Sequence, residues 1–335
     1  MKVTANKVFL VLALSFHSLL IQAAEEMEIH YLQNGAGTCA IVNCPAVNKS
    51  KLMDCGSSLG NNDTNFPYTE SEIGLRLQTI IGDRELSAVF SHGDIDHYNY
   101  VPKALSGVQL SKIFLGEFST YYVLADFDDW LVAQGAVGAH IHKDLPINYV
   151  SDEADGEDHL DCGNASVHIL TNRAGANLRP RRSNRNRNSM VTLVEYDDFR
   201  AIFSGVAERK TEQLIIDNFE NMSAKVVTGS HHGARFHGSN HQDWIDKIKA
   251  KAVIYTSGYE YEHPKCNATQ RFRAYLADVT SHDFTCDVTR NKRPAHTTKA
   301  QYGTEVLGDI KITTSGISPF RVECALSECT SEISH

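Results

Sequence analysis

The sequence predicts a layered α/β sandwich, and three observations carry that reading. Short apolar runs come first as a meander and then interleave with segments of helical periodicity. Three of the apolar runs end in loops that carry histidine, which is how open α/β folds mount ligands on a rigid sheet. No short-period repeat and no linker long enough to split the chain interrupts its 335 residues.

The elements follow in order. Residues 1–24 read as a signal peptide: Lys2 and Lys7 precede the apolar run Val8–Ile21, then Ala23 and Ala24. That run is too short, and too interrupted by His17 and Ser18, to span a bilayer. Residues 25–325 are expected to form the domain and 326–335 a tail. Met27–Leu32, Thr38–Asn43 and Lys51–Asp54 read as a meander turning at Gly35-Ala36-Gly37. Thr69–Ile81 has helical periodicity and a start signal at Thr69 and Glu70. The strand Leu86–Phe90, a short helix near Tyr98–Leu105, the strand Lys112–Leu115 and a helix over Ser119–Ala133 come next. Ser166–Thr171 is a strand between two polar loops; Ser189–Tyr196 and Phe199–Ser204 make a hairpin around Asp197-Asp198. Helices at Glu208–Glu220 and Gln242–Ala250 alternate with the strands Lys225–Thr228 and Ala252–Ser257. A helix near Ala268–Ala277 and the strands Gly308–Thr314 and Phe320–Cys324 close the pattern.

Eight cysteines, an even count with no C-x-x-C pair, argue for disulfides in an exported chain rather than a thiolate metal site. If Cys44-Pro45 through Ser50 turns a hairpin, Cys39 falls opposite Cys55, and Cys324 and Cys329 can close a small loop. The remaining pairings stay open. Five Asn-x-Ser/Thr sequons, at Asn48, Asn62, Asn164, Asn221 and Asn267, matter only in a eukaryotic secretory pathway. A formal charge of −9, more negative once Lys2 and Lys7 are removed, excludes a general polyanion binder. Any nucleic-acid contact is therefore local. The expected location is secreted or periplasmic, without membrane insertion after signal cleavage, and the sequence carries no oligomer signal.

The strongest motif is Ser91-His92-Gly93-Asp94-Ile95-Asp96-His97, directly after the apolar run Leu86–Phe90. Two imidazoles and two carboxylates delivered to one point suit a divalent cation, zinc first and manganese as the alternative. The plainer reading is a polar surface loop. A second constellation follows Lys225–Thr228: Gly229-Ser230-His231-His232-Gly233. Adjacent histidines in extended chain point apart, so one can bind metal while the other faces substrate or solvent. A third histidine, His263, precedes Pro264 after Ala252–Ser257.

With these motifs the chain resembles the metallo-β-lactamase superfamily, in particular the soluble domain of ComEC-type competence (DNA-uptake) proteins. Asp94 matches that family's variant metal signature. The segments Asn188–Leu193, Ser204–Glu208, His231-His232-Gly233, His263-Pro264 and Gly308–Ile312 match it in order, over about residues 28–324. The resemblance implies a four-layer αββα sandwich binding one or two divalent ions. His92 and Asp94 would hold the first ion, with Asn188 standing where lactamase-type relatives present a third ligand. Asp96, His97 and His232 would hold the second. Asp96 would also orient water, and His231 or His263 would stabilise charge or protonate a leaving oxygen. One departure matters: Val206 stands where the family has an aspartate bridging two metals, and an isopropyl group cannot coordinate. Glu208 is no replacement, because the family also has glutamate there.

The substrate reading rests on arginine. Six of them crowd Arg173–Arg187, and Arg185 and Arg187 run straight into Asn188. Guanidinium forks grip phosphate, so a small-molecule or nucleic-acid phosphodiester is the expected substrate. The alternative is a solvated loop neutralised by the six acids of Ser151–Gly163. Tyr259 and Tyr261 could stack on bases, although packing is the plainer role. An exported metal-dependent hydrolase, a phosphodiesterase or nuclease, is the function expected. A metallo-hydrolase of another ester, lactone or β-lactam, or an impaired binding protein marked by Val206, is the alternative.

Overall fold

The computed structural model describes residues 25–58, 68–145, 150, 160–173, 185–258, 261–288, 292–326 and 329–334. The expected signal peptide lies outside them, as do Asn62, Tyr259, most of the acidic run and the arginines at 179, 181 and 182. Six strands form the first half: β1 (Met27–Tyr31), β2 (Cys39–Asn43), β3 (Lys49–Cys55), β4 (Glu85–Phe90), β5 (Leu110–Leu115) and β6 (His140–His142). Eleven follow: β7 (Ser166–Thr171), β8 (Val191–Tyr196), β9 (Phe199–Phe203), β10 (Val226–Thr228), β11 (Ala252–Tyr255), β12 (Asp278–Asp287), β13 (Lys292–Lys299), β14 (Gln301–Gly303), β15 (Ile310–Thr314), β16 (Phe320–Cys324) and β17 (Ser331–Ile333).

These assemble into a nine-stranded sheet, β17-β16-β15-β1-β2-β3-β4-β5-β6, and a six-stranded sheet, β14-β11-β10-β9-β8-β7. Strand alternation decides what each sheet packs against. In β8, Val194 and Tyr196 face the other sheet while Val191 and Leu193 face helices. Tyr31 of β1 stacks on Phe203 of β9 at 5.7 Å across the central layer. On the outer face of the large sheet, Ile73, Leu77, Phe127 and Trp130 cover Leu52, Ala88 and Phe90. Ile215, Trp244, Ile248 and Phe272 do the same for the smaller sheet. The result is the four-layer αββα sandwich. Each such large side chain, withdrawn from water, contributes roughly 1.5–3 kcal/mol.

Local signals account for most boundaries. The helix Glu70–Ile81 is capped by Thr69, whose Oγ1 accepts from Glu72 N while the Glu72 carboxylate accepts from Thr69 N. Where one helix was expected over Ser119–Ala133, a 3₁₀ turn (Ser119–Tyr121), with Ser119 N donating to Asp144, precedes the helix Ala125–Ala136. The helix expected near Tyr98–Leu105 is a single turn, Val101–Ala104, and a 3₁₀ turn, Ile95–His97, precedes it. The helix expected at Ala268–Ala277 is Cys266–Phe272. β12 and β13 form a separate hairpin whose polar sequence gave no strand signal, and residues expected in the tail supply the edge strand β17.

All eight cysteines are paired. Cys39–Cys55 and Cys324–Cys329 are bonded as expected, and Cys44–Cys162 and Cys266–Cys286 complete the set. The β2–β3 register differs from the one expected: Asn43 pairs Ser50 and Ala40 pairs Met53, one residue short of bringing Cys39 to Cys55. A bulge between them restores that pair, with Asp54 as the extra residue at φ 57°.

Candidate metal centre

Strands β3, β4 and β5 run parallel in one sheet, and β9, β10, β11 and β14 in the other. Their carboxyl ends lie together, and there open α/β sheets place ligands. β4 delivers His92 to His97, β10 delivers His231 and His232, and β11 leads to His263. A cavity of about 230 Å³ is lined by His92, Asp94, Asp96, Val206, His231, His232, Tyr261 and His263.

Within it, Asp96, His97 and His232 form the one three-residue metal-ligand group among the described residues, their ligand atoms within 4.8 Å of one another. Asp96 Oδ2 is 3.7 Å from His97 Nε2 and 3.5 Å from His232 Nε2. Ligands about 2.1 Å from a tetrahedral zinc sit roughly 3.4 Å apart, so the spacing fits. The second nitrogen of each imidazole is already used. His97 Nδ1 donates to Asp54 Oδ2 at 2.8 Å, and His232 Nδ1 donates to the Thr256 carbonyl at 2.7 Å. Both Nε2 atoms are buried without a hydrogen-bond partner, as an imidazole poised for a cation must be. The residues fit a divalent ion.

Asp54 does more than hold His97. Its Oδ1 accepts from Ser91 N at 2.6 Å and its Oδ2 from Ser91 Oγ at 2.7 Å, which fixes the start of the ligand loop. Gly93 N in that loop donates to Glu117 Oε2 at 3.2 Å, and Asn188 Nδ2 donates to Oε1 at 3.4 Å. Asn188 therefore reaches the loop at one remove. Burial pushes the Glu117 carboxyl up to about 8, against the lowering effect of these two donors. Asp54, Glu117 and Thr256 are the residues sequence reasoning missed.

His92 and Asp94 stand beside the three-residue group as a pair, Nε2 to Oδ2 at 3.6 Å. Arg185 Nη1 donates to Asp94 Oδ1 at 3.0 Å. Burial opposes ionisation of Asp94, but His92 and Arg185 outweigh it and hold the carboxyl below its usual range. Asp96 is held low in the same way, burial opposing and His97, His232 and His92 prevailing. Val206 is buried in the cleft wall and offers only methyl groups.

The segment Ser230–Gly233 is not extended, as the divergence argument assumed, but a left-handed turn: His231 and His232 have φ 51° and 56°. The turn still sends the rings apart, to centroids 6.3 Å from each other. Gly233 is required there, since at φ 84° a Cβ would come within 2.5 Å of Pro264. Asn186 Nδ2 donates to His231 Nε2 at 3.4 Å. Burial and the surrounding imidazoles lower His231 to about 3. The His263 ring lies 5.9 Å from that of His231 and 6.4 Å from that of His232.

The arginines separate by role. Arg187 Nε donates to the buried Glu208 Oε2 at 2.7 Å, so its charge is engaged away from the cleft lining, and this also accounts for Glu208. Arg173 donates to the Leu145 carbonyl and lies 3.6 Å over the Phe118 ring, a packing role. Tyr261 reverses its expected packing role: it is 53% exposed at the cleft, 6.3 Å from the His263 ring.

Comparison with known proteins adds a sequence relative. No protein-family model matches the chain. ComE operon protein 3 of Bacillus subtilis (strain 168) is 22% identical over 269 residues, 78% of this chain. The chain spans 32% of that relative's length. Among solved structures, human tRNase Z, short form, covers 68% of this chain and 91% of its own at 14% identity, with a TM-score of 0.37. Zn(2+)-bound PqqB from Methylobacterium extorquens covers 60% of this chain and 72% of its own at 12% identity and TM-score 0.37. A diphosphatase of the PhnP family covers 82% and 98% at 10% identity and TM-score 0.40. The described fold is the αββα sandwich that the resemblance implied, and in sequence the chain is similar to part of ComE operon protein 3.

Proposed function

We propose that this chain is an exported metal-dependent hydrolase of phosphodiesters, small-molecule or nucleic-acid. The observation that carries the reading is the convergence of two buried Nε2 atoms, each imidazole oriented from behind, on the carboxylate of Asp96. When bound there, a divalent ion, zinc or manganese, supplies Lewis acidity, which lets water act as nucleophile near neutral pH. Asp96 would help to hold the ion and accept the proton of the attacking water. His263 donates a proton to the departing oxygen, so that diester and water yield monoester and alcohol. His231, neutral at pH 7, orients the diester by hydrogen bonding. Export is supported by the four disulfides and by the apolar segment Val8–Ile21. No helix of the described residues is long and apolar enough to cross a membrane.

The test is hydrolysis of bis(4-nitrophenyl) phosphate and of single-stranded DNA by the zinc- or manganese-loaded protein, beside Asp96→Asn. Turnover that falls at least about 100-fold in the folded variant is the expected result, as for loss of a general base. Metal-loaded protein inert to both substrates overturns it. That outcome favours the second reading, a binding protein, which Val206 in the cleft wall supports.

A further inference from the structure

We propose that the guanidinium of Arg185 takes the place of a cation in the His92–Asp94 half of the cleft, so that the chain holds a single divalent ion. The two halves of the ligand loop are unequally furnished. Asp96, His97 and His232 make a three-ligand group, whereas His92 and Asp94 make only a pair. The cleft wall beside them is Val206, which cannot complete a second set.

The Asp94 side chain is 37% exposed and lines the cleft with Asp96, so a positive partner offsets the like charge of the two carboxylates. Arg185 is that partner: Nη1 donates to Asp94 Oδ1 at 3.0 Å. The side chain is well placed to stay. It is 14% exposed, and its guanidinium lies 5.0 Å from the centre of the Tyr121 ring. A guanidinium also differs from an ion in what it can do. It keeps its charge at every accessible pH, cannot be removed by a chelator, and has several N–H donors beyond the one spent on Asp94. Arg185 is not part of the cleft lining, so this fixed charge acts on the cleft through Asp94, which is. The inference rests on the proposed function only in taking Asp96, His97 and His232 as the ion site.

The test is zinc stoichiometry by elemental mass spectrometry, after equilibration with excess zinc and removal of free ion. Four proteins are compared: wild type, His97→Ala, Arg185→Ala/Val206→Asp and Arg185→Lys/Val206→Asp. One ion in wild type, two in the alanine double variant and one in the lysine double variant is the result expected, since lysine keeps the charge and aspartate supplies the third ligand. Because a carboxylate at 206 can itself impair folding, near-ultraviolet circular dichroism is recorded for each. If the 206 variants do not fold, Arg185→Ala alone is titrated with zinc; a second, weaker uptake absent from wild type supports the proposal, and a single uptake overturns it. Two ions in wild type, or one in a folded alanine double variant, also overturns it and leaves the hydrolase reading standing. No ion in wild type overturns both.

Discussion

Asp54 and His97 are joined by a 2.8 Å hydrogen bond between residues 43 positions apart, and the β3 bulge makes that bond possible. Without the extra residue, strand alternation would turn the position-54 side chain to the other face. With it, one carboxylate receives His97 Nδ1, Ser91 N and Ser91 Oγ. The histidine's tautomer and the loop's first residue are set by the same group.

Asp54→Asn should therefore weaken metal binding while leaving the fold intact. The amide keeps the shape but cannot accept on both atoms, so His97 loses its orienting partner. Loss of such outer partners costs roughly 10–100-fold in metal affinity. Competition with a chromogenic zinc chelator measures it, and an unchanged affinity in the variant removes Asp54 from the account.

Glu117 makes a pH-dependent contribution with a defined sign. Its folded pKa is raised by burial to about 8, above the 4.5 of an unperturbed glutamate. Between those values the folded state holds a proton that the unfolded state has released. Stability from this group is complete below pH 4.5 and is lost as pH rises through about 8. In the metal-free protein, Glu117→Gln should flatten that decline, measured by urea denaturation at pH 5 and pH 9. An identical pH slope in the two proteins would show that Glu117 is ionised in the fold.

The disulfides should differ in worth by loop length. Cys44–Cys162 closes a sequence separation of 118, and Cys324–Cys329 only 5. The chain-entropy model gives about 5 kcal/mol for the first and about 2 kcal/mol for the second. Paired cysteine-to-alanine variants, compared by chemical denaturation, should fall in that order; the reverse order would contradict the entropic account.

The sequence was informative wherever a signal is local. Val191–Tyr196 is apolar on both faces because both are covered, and Thr69 with Glu70 marks a helix start. His92 to His97 was legible because one loop carries four candidate ligands. Asp54, Glu117 and Thr256 were not, because each is a single polar residue at a separate strand end, with no spacing pattern. The arginine-rich loop misled in part: composition cannot tell Arg185, on the Asp94 carboxylate, from Arg187, spent on Glu208. The Cys39–Cys55 pair was read correctly through a register one residue off, which the bulge corrects.

The central claim is that Asp96, His97 and His232 hold a divalent ion. Its most direct measurement is the metal content of gently purified protein, by elemental mass spectrometry, beside a His97→Ala variant shown to be folded. The account predicts one ion per chain in the wild type and its loss in the variant. Protein that remains metal-free after reconstitution with zinc and with manganese would contradict it.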